Sequence, residues 1–263
     1  MPPVRDLTYN RSKAGVDDWE LHWEHFAEHA SENPAQDYRH RTVLHLLEQL
    51  ELRNDVRLLD LGSGQGDFLA KAATAWPNAD LAGVELSEQA VLMTTRKVPR
   101  ARVFAANLFA PRPELKVLET WAHVAVCCEV LEHVDDPAAF LRAAGRYCSP
   151  GTRLIVTVPG GPMSSFDRHI GHRQHFTAGK LRSYLGASEW EVQRIFRAGF
   201  PFFNIYRALV IARGERLAHD LTTAPTQILR LERIAMRMFR ILFRANFLDS
   251  PFGWQIIAVA RKL

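Results

Sequence analysis

The sequence predicts an α/β fold built on a mostly parallel sheet with helices on both of its faces. From Val56 onward, short apolar stretches typical of buried strands alternate with helical stretches, which is the pattern of a parallel sheet. The first strand runs directly into a turn that contains Gly62, Gly64 and Gly66. A second strand ends in Glu85, about 20 residues after the last glycine, where a carboxylate can bind both hydroxyls of a ribose. These observations predict a nucleoside-binding βαβ unit.

The remaining elements follow from local patterns of apolar residues and turn residues. Strands are predicted at 56–61, 80–85, 102–105, 122–128 and 153–158. Helices are predicted at 66–75, 87–97, 136–147 and 177–186, with Thr177 as the N-cap of the last one. Two later strands, at 190–197 and 254–260, are expected to pair antiparallel at the edge of the sheet. The insertion between them is longer than compact domains usually contain without a function.

Composition sets the general class of the protein. The chain has 263 residues and a mass of 29.9 kDa, with 47% hydrophobic and 24% charged residues, which is typical of a globular protein. Neither a signal peptide nor a membrane-spanning apolar run is apparent, and Cys127, Cys128 and Cys148 suit buried free thiols, so we expect a cytoplasmic protein. The net charge of +4 permits acidic partners without requiring them.

The residues around the glycines indicate the ligand. The spacing is Gly-x-Gly-x-Gly, and Asp60 precedes it, where a carboxylate would repel a pyrophosphate but suit an ammonium or sulfonium group. The string LLDLGSGQGDF resembles the first motif of class I S-adenosylmethionine-dependent methyltransferases, with Glu85 in the place of the ribose-binding acid. The resemblance implies a Rossmann-like, seven-stranded, mostly parallel sheet with an antiparallel last strand, and S-adenosyl-L-methionine as cofactor. The cofactor-binding residues that it implies are Asp60, Gly62, Ser63, Gly64, Gly66, Glu85, Leu86, Asn107, Leu108 and Glu129.

Asn107 follows the third strand, where the resembled family has an acidic or amide side chain that bonds the adenine amino group. Leu108 would then pack on the adenine ring. The alternative is that Asn107 forms a turn and has no contact with a ligand.

A second motif, EVLEHV at 129–134, follows the fourth strand and is similar to the ubiquinone-biosynthesis O-methyltransferases. The later pattern around His172 looks like the histidine loop of small-RNA 2′-O-methyltransferases. This resemblance implies that Glu129, Glu132, His133 and His172 hold Mg²⁺, Mn²⁺ or Zn²⁺. Two alternatives stay open. His133 or His172 is a general base without a metal, or the histidines have a structural role.

The chain divides into four parts. The segment 1–52 is helical and, by the resemblance, packs over the active-site mouth. Residues 53–199 form the S-adenosylmethionine-binding core, 200–252 a helical insertion, and 253–263 the last strand. Within the insertion, 226–244 has a helical pattern with a broad apolar face and an arginine every three or four residues. Core packing, an interfacial membrane helix, a dimer contact and the roof of an apolar pocket all fit this pattern.

The predicted function is transfer of a methyl group from S-adenosylmethionine to a hydroxyl of a small hydrophobic, aromatic or glycosyl molecule, by histidine- or metal-assisted deprotonation. The acceptor is expected to be lipid-linked if 226–244 contacts a membrane. A metal-dependent RNA 2′-O-methyltransferase and a non-catalytic methyltransferase-like scaffold are the alternatives. The sequence has no evident aromatic and basic platform for RNA, which disfavours a nucleic acid partner, and oligomerisation stays open.

Overall fold

A computed structural model describes residues 19–20, 23, 32–53, 55–110, 112–223 and 230–263, of which 215–223 and 230–231 are described by their backbone alone. Within these residues the strands form one seven-stranded sheet in the order β3-β2-β1-β4-β5-β7-β6. The strands are β1 (Arg57–Leu61), β2 (Asp80–Glu85), β3 (Arg102–Ala105), β4 (Ala122–Cys128), β5 (Cys148–Pro159), β6 (Trp190–Ala198) and β7 (Gln255–Lys262). β7 pairs antiparallel with both of its neighbours, and the other pairs are parallel. The predicted fold class is confirmed.

Helices cover both faces of this sheet. They are α1 (Pro34–Glu48), α2 (Asp67–Ala75), α3 (Glu88–Lys97), α4 (Pro137–Gly145), α5 (Ser165–His169), α6 (Ala178–Gly186), α7 (Phe202–Thr223) and α8 (Arg230–Leu242). The Thr177 side chain caps α6 by accepting a hydrogen bond from the Lys180 N–H, as predicted. An apolar core lies on each face of the sheet. Neighbouring residues of β1 point to opposite faces, so Leu58 packs in one core and Leu59 in the other.

The strand order places a ligand site at the carboxyl ends of the central strands β1 and β4. Connections from β1 lead outward to β2 and β3 in one direction, whereas β4 and β5 lie on the other side. Open α/β sheets bind ligands at the carboxyl ends of strands beside such a reversal. The residues that follow β1, β2 and β4 therefore meet in one crevice.

Helix α1 begins at Pro34, within the segment 1–52 that was predicted to be helical. The Asn33 side chain accepts a hydrogen bond from the Ala35 N–H, and Pro34 occupies the first turn, where its missing N–H has no cost. The rest of the predicted N-terminal segment, at 1–18, 21–22 and 24–31, lies outside the described residues.

The insertion, predicted to be helical, contains two helices, and the bounds of α7 were not predicted. The predicted helix 226–244 is α8 followed by a 3-10 turn at Phe243–Ala245, and 226–229 lie outside the described residues. Both helices pack on α1 through a set of rings that we call the aromatic cluster. Its members are Tyr38, Phe203, Tyr206, Phe239 and Phe243. Among the described helices, each one is too short or too polar to span a bilayer.

Candidate active site

The glycine turn after β1 has a backbone that only glycine adopts readily. Gly62, Gly64 and Gly66 have φ angles of +77°, +51° and +79°. A methyl group added to Gly62 would lie 2.5 Å from Val130 Cγ2. The Gly62 N–H donates to the Val84 carbonyl at 2.8 Å, which ties the turn to β2. Close approach of a ligand to this backbone therefore depends on the missing side chains.

Two buried carboxylates flank the turn. Glu85 Oε2 accepts from the Gly64 N–H at 2.8 Å, and Oε1 accepts from the N–H groups of Leu86 and Ser87 at 2.9 and 3.2 Å. Asp60 is 2% exposed. Burial, reinforced by the charge of Glu85, raises the pKa of Asp60 to about 8. Burial likewise raises the pKa of Glu85 despite its hydrogen bonds. A cationic ligand beside these groups would favour their charged forms.

The predicted adenine side of the crevice lies on the loops after β2 and β3. Leu86, Asn107 and Leu108 all line the same cavity. The Asn107 Oδ1 accepts the Phe109 N–H at 2.9 Å, so Asn107 does form the turn that was its alternative role. Its second oxygen lone pair and its amide N–H groups remain available to a ligand. Ser63 Oγ is buried and has no hydrogen-bond partner among the described residues.

Glu129 is directed away from the other predicted metal ligands. Its Oε1 accepts from Thr157 Oγ1 and Gln255 Nε2, both at 2.9 Å. Its Oε2 lies 3.6 Å from Arg39 Nε, and its φ of +57° is unusual for a non-glycine residue. The backbone thus directs Glu129 towards β5, β7 and α1.

Glu132, His133 and His172 form a compact group. One ligand atom from each lies within 4.8 Å of the others, and Glu129 is outside this group. The rings of His133 and His172 are perpendicular with centroids 4.8 Å apart. Glu132 is fully buried, and neither of its oxygens has a hydrogen-bond partner among the described residues. Burial, reinforced by the charge of Glu129, raises the pKa of Glu132 well above its ordinary value, and burial lowers that of His172 well below its own.

His175 and Asp167 lie beside the Nδ1 atom of His172. His172 Nδ1 lies 3.2 Å from His175 Nε2, and His175 Nδ1 lies 3.1 Å from the Gly161 carbonyl oxygen. Asp167 lies about 4 Å from His172 Nδ1 and His175 Nε2 and accepts hydrogen bonds from Ser164 and Arg207. Burial opposes ionisation of Asp167, but Arg207 and Ser164 outweigh it and keep the pKa of Asp167 below its ordinary value.

One cavity of about 1420 Å³ joins the glycine turn to the histidine group. This volume exceeds that of most single-ligand pockets, so it suits a cofactor together with an acceptor. Trp19 and Trp23 cover part of it, because the Trp23 ring lies against Gly64 and the Trp19 ring is 4.8 Å from the His133 ring. Glu20 binds the N-terminus of α3 by accepting hydrogen bonds from Ser87 Oγ and two N–H groups there.

Helices α7 and α8 form the roof of the cavity. The apolar side chains that they contribute include Leu209 and Val210 from α7 and Met236 and Phe239 from α8. Arg213 of α7 and Glu232 of α8 also line it, with 3.5 Å between Nη1 and Oε1. Of the roles considered for the insertion, the roof of an apolar pocket fits this arrangement directly.

This sheet order, the glycine turn and the ribose-type acid together define the fold and cofactor crevice of class I methyltransferases. A family model described as a methyltransferase domain matches residues 32–203. The chain therefore belongs to the class I S-adenosylmethionine-dependent methyltransferases. S-adenosylmethionine is the cofactor that this family and the crevice support.

Curated relatives share part of the sequence. The chain is 28% identical over 123 residues to a trans-aconitate 2-methyltransferase of Azoarcus sp. (strain BH72), which covers 47% of each chain. It is 35% identical over 102 residues to a ubiquinone biosynthesis O-methyltransferase of Thiobacillus denitrificans, covering 36% of this chain and 40% of that protein. The chain spans about half the length of the first curated relatives that it matches.

Solved structures share the fold. A putative sarcosine dimethylglycine methyltransferase from Galdieria sulphuraria superposes with a TM-score of 0.56 at 13% identity, over 84% of this chain and 83% of that one. The [4+2]-cyclase SpnF superposes with a TM-score of 0.53 at 20% identity, over 80% and 76%. At such identities the likeness concerns the fold alone.

Three residues of this site were not among the predicted site residues. Asp167 and His175 support His172, and Arg39 of α1 faces Glu129. The spacing of His172 and His175, three residues apart in one loop, was a usable signal. For Arg39 the sequence offered none, because its partner is 90 positions away in a different element.

Proposed function

We propose that this protein transfers a methyl group from S-adenosylmethionine to a hydroxyl oxygen of a small, largely apolar molecule. The observation that carries the proposal is the single cavity that joins Asp60 and Glu85 to Glu132, His133 and His172. Donor and acceptor would lie side by side in it, and such proximity is a major source of rate in group transfer.

A hydroxyl acceptor fits this site better than a carboxylate. A carboxylate is already a nucleophile at neutral pH, whereas a hydroxyl must lose a proton, and the imidazole nitrogens of the histidine group provide for that step. Arg39 and Arg207, two of the arginines that line the cavity, pair with Glu129 and Asp167, so an anionic acceptor would have to displace these carboxylates. Methylation of a carboxylate is the second candidate, because some relatives are named trans-aconitate 2-methyltransferases.

We further propose that Glu132, His133 and His172 hold a divalent cation. Glu132 is a fully buried carboxylate without a hydrogen-bond partner in the described parts of the chain. Such a group is costly unless it stays protonated or a cation compensates its charge. One carboxylate and two imidazoles form a donor set suited to Mn²⁺ or Zn²⁺, with Mg²⁺ the weaker fit. When bound, such a cation lowers the pKa of a coordinated hydroxyl and orients it. In its absence His172 or His133 is the candidate base.

The acceptor assay should separate these possibilities by product chemistry. The purified protein is incubated with S-adenosylmethionine carrying a labelled methyl group and with catechols, vicinal diols, single-hydroxyl lipids, tricarboxylates or RNA. A base-stable labelled ether supports hydroxyl transfer, whereas a label released by mild alkali identifies a methyl ester and contradicts it. Failure to bind S-adenosylhomocysteine would contradict enzymatic function altogether and favour a scaffold.

We also propose that the acceptor is lipid-linked and reaches the cavity from a membrane surface. Ile234, Met238 and Ile241 lie four and three residues apart on α8, so they share one face, and they are 62%, 50% and 66% exposed. The exposed Arg233 and Arg237 lie beside them. An apolar stripe next to arginines suits a membrane with anionic lipids, and the inner side of the same helix lines the cavity.

Vesicle flotation tests this contact. The protein is expected to float with vesicles containing phosphatidylglycerol but not with phosphatidylcholine vesicles, and the double variant I234N/I241N is expected to lose flotation. L92N provides the matched control, because Leu92 is 54% exposed on α3. Equal flotation of both variants, or none by the wild type, would contradict the contact.

A further inference from the structure

We propose that His175 is a positioning residue that holds His172 in a single tautomer, with its proton on Nδ1 and its lone pair on Nε2. This inference rests on the proposed function, in which His172 is a metal ligand or base. It adds a residue outside the group that faces the acceptor, and it predicts a spectroscopic signature that does not depend on activity.

The hydrogen bonds that join Gly161 O, His175 and His172 form a chain that we call the relay. It begins at the backbone carbonyl of Gly161. A carbonyl oxygen only accepts hydrogen bonds, so His175 Nδ1, 3.1 Å from Gly161 O, must carry a proton and donate it. Gly161 itself is firmly placed, because its φ is +70° and a methyl group there would lie 2.8 Å from the Trp254 ring. The next residue towards β5, Gly160, donates its N–H to the Trp254 carbonyl at 2.7 Å.

The proton on His175 then determines the form of His172. A neutral His175 with a proton on Nδ1 has a lone pair on Nε2, which accepts from His172 Nδ1 at 3.2 Å. His172 therefore has its own lone pair on Nε2. This atom lies 4.0 Å from Glu132 Oε1, on the side of the ring that faces the metal-binding group.

The neighbouring carboxylate supports the relay without replacing it. Asp167 lies 4.0 Å from His172 Nδ1 and 3.8 Å from His175 Nε2, beyond hydrogen-bond distance of both. Its oxygens already accept from Arg207 Nη2 at 2.9 Å and from Ser164 Oγ at 2.8 Å. We therefore interpret Asp167, His172 and His175 as a support for the inner group and not as a second metal site.

His172 needs a partner to adopt this tautomer, because a neutral histidine in water favours the tautomer with its proton on Nε2. That form of His172 would direct an N–H towards Glu132 in place of a lone pair. A metal ligand or base needs the lone pair, and metal-bound histidines commonly have their second nitrogen fixed by such a partner. His175 fixes the second nitrogen of His172 in this way, and the Gly161 carbonyl fixes His175 in turn.

Gln and Met provide a matched pair of substitutions at His175, because the two side chains have nearly the same shape. In H175Q the amide oxygen can accept from His172 Nδ1 while its N–H donates to Gly161 O, whereas the Met side chain of H175M forms neither strong bond. The ring nitrogens of His172 are observed by NMR in protein labelled with ¹⁵N-histidine and freed of metal with a chelator. The H172A spectrum identifies the His172 signals.

We expect a pyrrole-like Nδ1 and a pyridine-like Nε2 for His172 in the wild type and in H175Q, and a shift towards Nε2–H in H175M. Mn²⁺ affinity is expected to fall about 10- to 100-fold in H175M and to be retained in H175Q. A proton on Nε2 of His172 in the wild type would overturn the proposal, whatever the behaviour of the His175 variants. An unchanged tautomer in H175M would overturn it as well. The predicted spectra without Mn²⁺ binding by the wild type would support the relay and contradict the metal-dependent function.

Discussion

Because His40 is buried, we expect the folded protein to lose stability in mild acid, by an amount that follows from the pKa of this histidine. It lies on α1, is 7% exposed, and has an Nδ1 without a hydrogen-bond partner among the described residues. Burial, reinforced by the charge of Arg39, lowers its pKa from 6.5 to about 3. The unfolded chain therefore binds a proton at His40 below pH 6.5, whereas the folded chain does not until about pH 3. The contribution of His40 to stability is complete above pH 6.5 and is lost as the pH falls towards 3.

Each pKa unit corresponds to about 1.36 kcal/mol, so lowering the pH from 7 to 5 should cost about 2 kcal/mol through this residue. The substitution H40L removes the titrating group while keeping an apolar side chain of similar size. Urea denaturation followed by tryptophan fluorescence at pH 7 and pH 5 measures the change in the free energy of unfolding. H40L is expected to lose about 2 kcal/mol less than the wild type between the two pH values. H45Q, which replaces an exposed histidine on the same helix, is expected to follow the wild type. Equal losses in H40L and the wild type would refute the reasoning.

Two further substitutions test the glycine turn and the packing of the insertion. G62A forces a left-handed residue, at about 1–2 kcal/mol, and a contact with Val130, so S-adenosylhomocysteine affinity should fall about 10-fold or more in calorimetric titration. G151A has a similar φ of +83° but open space around it, and should leave that affinity unchanged; equal losses would contradict the steric account. F243A, at a position 1% exposed in the aromatic cluster, should cost about 3–5 kcal/mol in urea denaturation. F247A, at a position 58% exposed, should change stability by about 0.5 kcal/mol or less, and an equal cost in both would show that the aromatic cluster does not hold the insertion.

The glycine turn and the strands beside it were predictable because their geometry requires particular residue types. Gly62, Gly64 and Gly66 must be glycines for this turn, and Glu85 must end a strand beside β1, so both requirements leave a local pattern in the sequence. The strands of the parallel core were predictable for a similar reason, since a strand buried on both faces has a continuous apolar run.

The acceptor half depends on contacts between distant elements. EVLEHV predicted that its two glutamates act together, but a φ of +57° at Glu129 directs that side chain to Thr157 and Gln255 while Glu132 faces the histidines. A single sequence gives no sign of such a backbone angle. The inner and outer sides of α8 were likewise ambiguous, because apolar residues occur on both and the packing of α8 against α1 and α7 decides which of them are buried.

Calorimetric titration of Mn²⁺ and Zn²⁺ into the protein saturated with S-adenosylhomocysteine tests the central claim most directly. We expect saturable binding at one site by the wild type, loss of that binding in E132A and H172A, and its retention in H169A, which changes the last residue of α5, outside the metal-binding group. The absence of binding by the wild type, or equal binding by E132A, would contradict a cation at Glu132, His133 and His172.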